Sequence, residues 1–186
     1  MGIAHAIQSV GFLTDIRESA LVFPVLLTTH LAIIAAFGGM ILMTDMRLLN
    51  LALKSRAVSD VVQGVRIWKR VGFVAMMTVG LLLGCSEAEK YSINPFFWVK
   101  MLLLACVAIH ALVYRKSVYD DAVAGKFDGP NGIPQRARTA AIVSLILWTG
   151  IPVMGRLIGY YEPKDKNNPP AALVAPAPTP TAVASR

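Results

Sequence analysis

Polar and apolar positions along this chain are not mixed at the fine grain of a water-soluble domain. Apolar residues gather in four long stretches, within about 19–44, 71–86, 95–114 and 139–161, with charge almost confined to the segments between them. The stretches run to about 18–23 residues, the length a helix needs to cross roughly 30 Å of hydrocarbon. The pattern predicts an all-α fold: a four-helix transmembrane bundle over 19–161. It also predicts an interfacial N-terminal segment, 1–18, and a disordered Pro/Ala-rich tail, 162–186.

Local signals refine the boundaries. Pro24 falls in the first turns of the first stretch, where a missing N–H costs least. Asn94-Pro95 reads as a capping residue followed by proline at the first helical position. Gly125, Gly129, Pro130, Gly132 and Pro134 break the segment before the fourth stretch. Residues 3–16 are weakly amphipathic and suit the membrane interface. They lack a positive start and an unbroken apolar run, so they do not read as a signal peptide. The tail, rich in Pro and Ala, does not supply a core.

Composition agrees: 55% of the 186 residues are hydrophobic and 16% charged, against about a quarter charged in soluble domains. A net charge of +7 suggests nucleic acid only until the cations are located. Six of the 18 Lys and Arg lie between Asp45 and Arg70 and five between Arg115 and Arg138. These are the two segments that one side of the membrane would hold, which is the positive-inside pattern and not a nucleic-acid surface. The expectation is a bacterial inner-membrane protein with both termini periplasmic. Cys85 and Cys106 lack metal or redox spacing and read as packing residues.

Candidate chemistry is sparse. No P-loop, Ser/His/Asp set or acid/base carboxylate pair occurs, so a non-catalytic membrane subunit or electron carrier is expected rather than a stand-alone enzyme. His30 sits mid-helix, where an ionisable side chain is a functional candidate by default. It would bind a metal or haem iron, relay protons, or hydrogen-bond a Thr, a Ser or a backbone carbonyl of another helix. Gly38 and Gly39, two turns on, would admit a macrocycle or a helix. His110 is the other candidate axial ligand, but it lies near the basic-loop end of the third stretch. By helix rise, Met77, Cys106 and Ile151 are the residues expected level with His30, making Met77 an alternative ligand. Lys100 and Arg156, near the far ends of their helices, would pair with haem propionates or snorkel to headgroups. Asp45 and Arg47 would form a local ion pair. Gly80-x-x-x-Gly84 and Gly155-x-x-x-Gly159 would bring helices close.

The series His30, Gly38/Gly39, Asp45-Met-Arg47-Leu-Leu, Thr78-Val-Gly80 and Tyr91-x-x-Asn94-Pro95-x-Phe97-x-x-Lys100 resembles a family of uncharacterised bacterial four-helix membrane proteins. The resemblance spans about residues 20–160. More loosely, the arrangement is similar to cytochrome b and copper-resistance-D type membrane domains. That likeness implies a b-type haem held through His30. The function expected is a small membrane subunit of an electron-transfer complex. It would bind haem b, or anchor redox partners near quinone, beside other membrane subunits in the lipid bilayer. The other expectation is a cofactor-free structural or assembly subunit of a respiratory or photosynthetic complex.

Overall fold

A computed structural model of the chain describes residues 2–130 and 132–161; the tail expected to be disordered lies outside them. The described residues form helices α1 (Gly2–Gln8), α2 (Gly11–Glu18), α3 (Val22–Leu48), α4 (Val58–Ser86), α5 (Ala88–Ser92), α6 (Pro95–Tyr114), α7 (Asp121–Val123) and α8 (Gln135–Ile158), with a π-helical stretch Arg115–Asp120 after α6. Four spans are long and apolar enough to cross a membrane: α3, α4, Pro95–Val123 and α8. The protein is an all-helical, multi-pass membrane bundle.

The ends of these helices have identifiable causes. Ser19 Oγ accepts from Val22 N (3.1 Å) and opens α3. At its other end Asn50 adopts φ 58°, while Leu51 N reaches Met46 O (2.9 Å) and Asn50 N reaches Arg47 O (3.0 Å). This is a Schellman closure with asparagine in the left-handed position. Asn94 Oδ1 accepts from Phe96 N (3.0 Å), as its place before Pro95 predicts, and Asn94 Nδ2 donates to Ile158 O (3.1 Å). One buried amide thus starts α6 and closes the end of α8.

The second helix is much longer than its apolar stretch. It begins at Val58, thirteen residues before the expected start near Val71. Val58, Val61, Val62 and Val65 recur at helical spacing and are all buried, while Gln63, Arg66 and Trp68 point out. These first two turns of the helix bury one amphipathic face, a pattern that a search for uncharged runs passes over. Val58 and Val62 enter the main buried cluster with Leu48, Val118, Ala122, Phe127 and three alanines of α8. The densest core therefore lies at the basic-loop end. The spans beyond it bury little, as lipid-facing helices do.

α3 packs on α4, α6 on α8, and α3 on α8, giving the order α4–α3–α8–α6. Antiparallel register follows from specific contacts. Phe37 meets Trp148 edge-on, with ring centroids 5.1 Å apart. A Cβ at Gly72 would lie 3.1 Å from Phe37, one at Gly80 3.0 Å from His30, and one at Gly150 3.1 Å from Leu103. Glycines of α4 and α8 thus make room for large side chains of α3 and α6. In the N-terminal segment Leu13 and Ile16 are buried, and His5 Nδ1 lies 2.9 Å from Glu89 Oε1. That contact folds the segment back over α5.

Candidate functional site: a polar interior on two levels

The register sets ionisable side chains inside the bundle at two depths. The outer level, far from the basic loops, holds His30 and Lys100. His30 Cε1 rests 3.0 Å from where a Cβ at Gly80 would stand, and its Nδ1 is buried without a hydrogen-bond partner among the described residues. Lys100 turns inward, its Nζ 3.7 Å from where a Cβ at Gly155 would be. Gly155 lies seven residues beyond Trp148, and His30 seven before Phe37, so Lys100 stands level with His30 and is its charged neighbour. This corrects the expectation that Met77, Cys106 and Ile151 share His30's level. It also separates Lys100, which points inward, from Arg156, which snorkels. Arg156 is exposed, donates to the Tyr160 hydroxyl (2.6 Å) and lies 4.7 Å over that ring.

The inner level is richer. Thr44 and Asp45 are each 1% exposed, Ser144 4% and His110 8%. Thr44 Oγ1 donates to Met40 O (2.9 Å) and accepts from Lys69 Nζ (3.3 Å). The Lys69 ammonium also sits 5.9 Å over the Tyr119 ring. Ser144 lies beside both the Asp45 carboxyl and the Tyr119 hydroxyl. Asp45 Oδ2 is buried without a partner among the described residues. No Lys69–Asp45 contact within 4.0 Å closes an ion pair, because the ammonium is engaged by Thr44 instead. Nor does the expected Asp45–Arg47 pair form. Arg47 turns away, its Nε donating to Arg56 O (2.9 Å) and Nη1 to Asn50 Oδ1 (3.4 Å).

The haem expectation can be tested on these residues. His110 Nε2 lies 3.0 Å from Ala140 O, and a carbonyl only accepts, so Nε2 carries its proton there and clamps α6 to α8. The ring also packs on Tyr114 (4.8 Å) and Tyr119 (6.5 Å). His110 follows Lys100 by ten residues, which is roughly 15 Å of helix below the level of His30. Two axial ligands of one iron must be nearly level. Met77 is 38% exposed on the outer face of α4, while Met76 turns inward. Arg156 faces out with Tyr160. Within one chain these residues do not fit a bis-axial haem, and no group of three or more His, Cys, Asp or Glu gathers among the described residues for another metal. His30 keeps its ring on Gly80.

In each glycine motif one glycine admits a side chain of a neighbouring helix. Gly80 and Gly155 seat His30 and Lys100, while Gly38, Gly39 and Gly84 have nothing within 4 Å of an added Cβ. Cys85 and Cys106 are free thiols. Sequence reading missed Lys69, Tyr119, Thr44 and Ser144. The first two lie within the segments it assigned to loops, and the two hydroxyl residues looked like ordinary polar positions in apolar stretches.

Comparison with known proteins adds one relation: the model of a family of unknown function (DUF6644) matches residues 18–161, over three quarters of the chain. No curated protein and no solved structure matches the chain.

Proposed function

The chain belongs to this family of unknown function, and from that premise we propose that it is a small subunit of a bacterial inner-membrane electron-transfer complex whose interior handles protons and holds no haem of its own. Asp45 carries this reading: a carboxyl at 1% exposure with one oxygen unpartnered, in the last turn of a membrane helix. Such a group is expensive to keep in a membrane and is retained where it works. Lys69, Tyr119 and Ser144 around it are groups that give or take protons, or orient one that does. Electron transfer to or from a quinone takes up or releases protons, so a subunit beside a quinone needs such groups.

The basic ends of the helices support an orientation with both termini periplasmic and the inner level near the cytoplasm. Beyond the bundle the described residues build no domain, so the chain acts by packing against other membrane subunits.

The test uses the native complex, purified in mild detergent through a tag on this chain. Asp45→Asn should leave the set of co-purifying subunits unchanged and lower proton-coupled electron transfer by at least about a hundredfold, the lower range for loss of a positioned proton-transfer group. Full coupled activity in Asp45→Asn overturns the reading. A reduced-minus-oxidised spectrum of the chain purified alone should be flat; a Soret shift lost in His30→Ala would restore the haem reading.

A further inference from the structure

At the basic-loop end, on the outside of the buried core, a cleft of about 440 Å³ opens between the loop that ends α3 and the one that precedes α8. Four cations line it: Arg47, Lys54, Arg56 and Arg138, with Asp128 as the one carboxylate. None of the four lies within 4.0 Å of a carboxylate among the described residues, whereas Arg17, Arg66, Lys90, Lys126 and Arg136 all do. Asp128, whose two oxygens accept the backbone N–H groups of Val58 and Ser59 and so cap α4, offsets one of these charges, most directly that of Arg47, so four cations against one carboxylate leave the lining at +3.

The cleft is also held in shape. Arg47 is 9% exposed and fixed by Arg56 O and Asn50 Oδ1, leaving its Nη2 without a protein partner among the described residues. The loop that carries Lys54 and Arg56 bends through Leu53 at φ 55°. A branched side chain rarely adopts that conformation, and the surrounding structure has to hold it there.

We propose that this cleft binds a phosphate group. A planar guanidinium forks two N–H groups onto phosphate oxygens, and lysine adds a point charge. Basic pockets at the cytoplasmic ends of membrane helices take phospholipid headgroups. Leu51, 64% exposed, and Leu53, 40% exposed, lie on the same loop and would meet acyl chains. They favour an anionic phospholipid over a soluble phosphate as the source. The site is separate from the Asp45 cluster and does not depend on the proposed function.

The test compares the wild-type chain with K54Q/R138Q, whose altered side chains are exposed and make no hydrogen bond or ion pair among the described residues. A second variant, R115Q/K116Q, removes two cations at the same end but outside the cleft. Retention of phosphatidylglycerol in native mass spectrometry is read together with the unfolding midpoint in detergent. The midpoint is taken with added phosphatidylglycerol, with phosphatidylcholine, and with inorganic phosphate against chloride at equal ionic strength. The expected result is preferential retention of, and stabilisation by, phosphatidylglycerol. It should be about tenfold or more weaker in K54Q/R138Q, on the scale of two lost surface cations, and unchanged in R115Q/K116Q. Stabilisation by inorganic phosphate as well, lost in the same variant, keeps the site and assigns it to soluble phosphates. An equal response of wild type and K54Q/R138Q, or no preference for any phosphate-bearing anion, overturns the proposal.

Discussion

At the scale of single residues, the interior works through a few side chains with one demanding neighbour each. His30 needs Gly80, because any Cβ there would stand 3.0 Å from its ring. Gly80→Val should destabilise the protein by about 1–3 kcal/mol through overpacking, and His30→Ala in the same chain should recover much of that loss. Thermal unfolding of the four-member mutant cycle in detergent checks it; additive effects would mean that the two do not touch. Asn94 does two jobs with one amide. Asn94→Ala removes the cap of α6 and leaves Ile158 O with only its longer bond from Tyr161 N (3.4 Å), costing about 1–2 kcal/mol, read as a lower unfolding midpoint.

Among elements, α4 depends on a residue from outside itself. Ala57 before it offers no side-chain cap, and Asp128 supplies one from 70 positions along the chain. Burial works to raise the Asp128 pKa, but hydrogen bonds from Ser59 and the Val58 and Ser59 amides, with the nearby Arg47 charge, outweigh it and hold the carboxyl below its ordinary value. A depressed carboxylate pKa stabilises the fold above the unfolded-state value and loses that contribution as pH falls through the folded one. Between neutral pH and about pH 4, the region of an ordinary aspartate, wild type should therefore keep this contribution, and lose it below. Asp128→Asn keeps one acceptor oxygen but loses the charge and the second, so it should lower the unfolding midpoint at neutral pH by less than the loss of a whole cap, which costs about 1 kcal/mol. The gap between the two proteins should close on acidification; a gap independent of pH would remove the electrostatic part of the argument.

For the whole molecule, four spans with basic loops on one side make a directional prediction. A periplasm-active reporter fused after Arg186 should be active, and one inserted at Gly125 silent, if the loops are cytoplasmic. The reverse pattern would turn the bundle over and put the phosphate cleft on the opposite face. In either orientation the Asp45 cluster stays at the basic-loop end, since the contacts of Thr44 with Lys69 and of Ser144 with Asp45 and Tyr119 fix its depth against that end.

That four helices are long and apolar enough to cross a membrane was legible from the chain alone, because hydrocarbon excludes charge and so writes its thickness into the spacing of Lys, Arg, Asp and Glu. The Asn94-Pro95 start was legible for a similarly local reason: both its signals are adjacent in sequence. What partners each buried polar group was not. Lys69 looked like one more loop cation because the valine spacing that starts α4 at Val58 lies outside any uncharged run, and nothing in the sequence turns that lysine toward Thr44. His110 looked like half of a ligand pair until the α6–α8 register gave its Nε2 to Ala140. Depth is a property of one helix and its solvent, whereas pairing depends on the rotation and sliding of two helices packed together, which only the folded bundle decides.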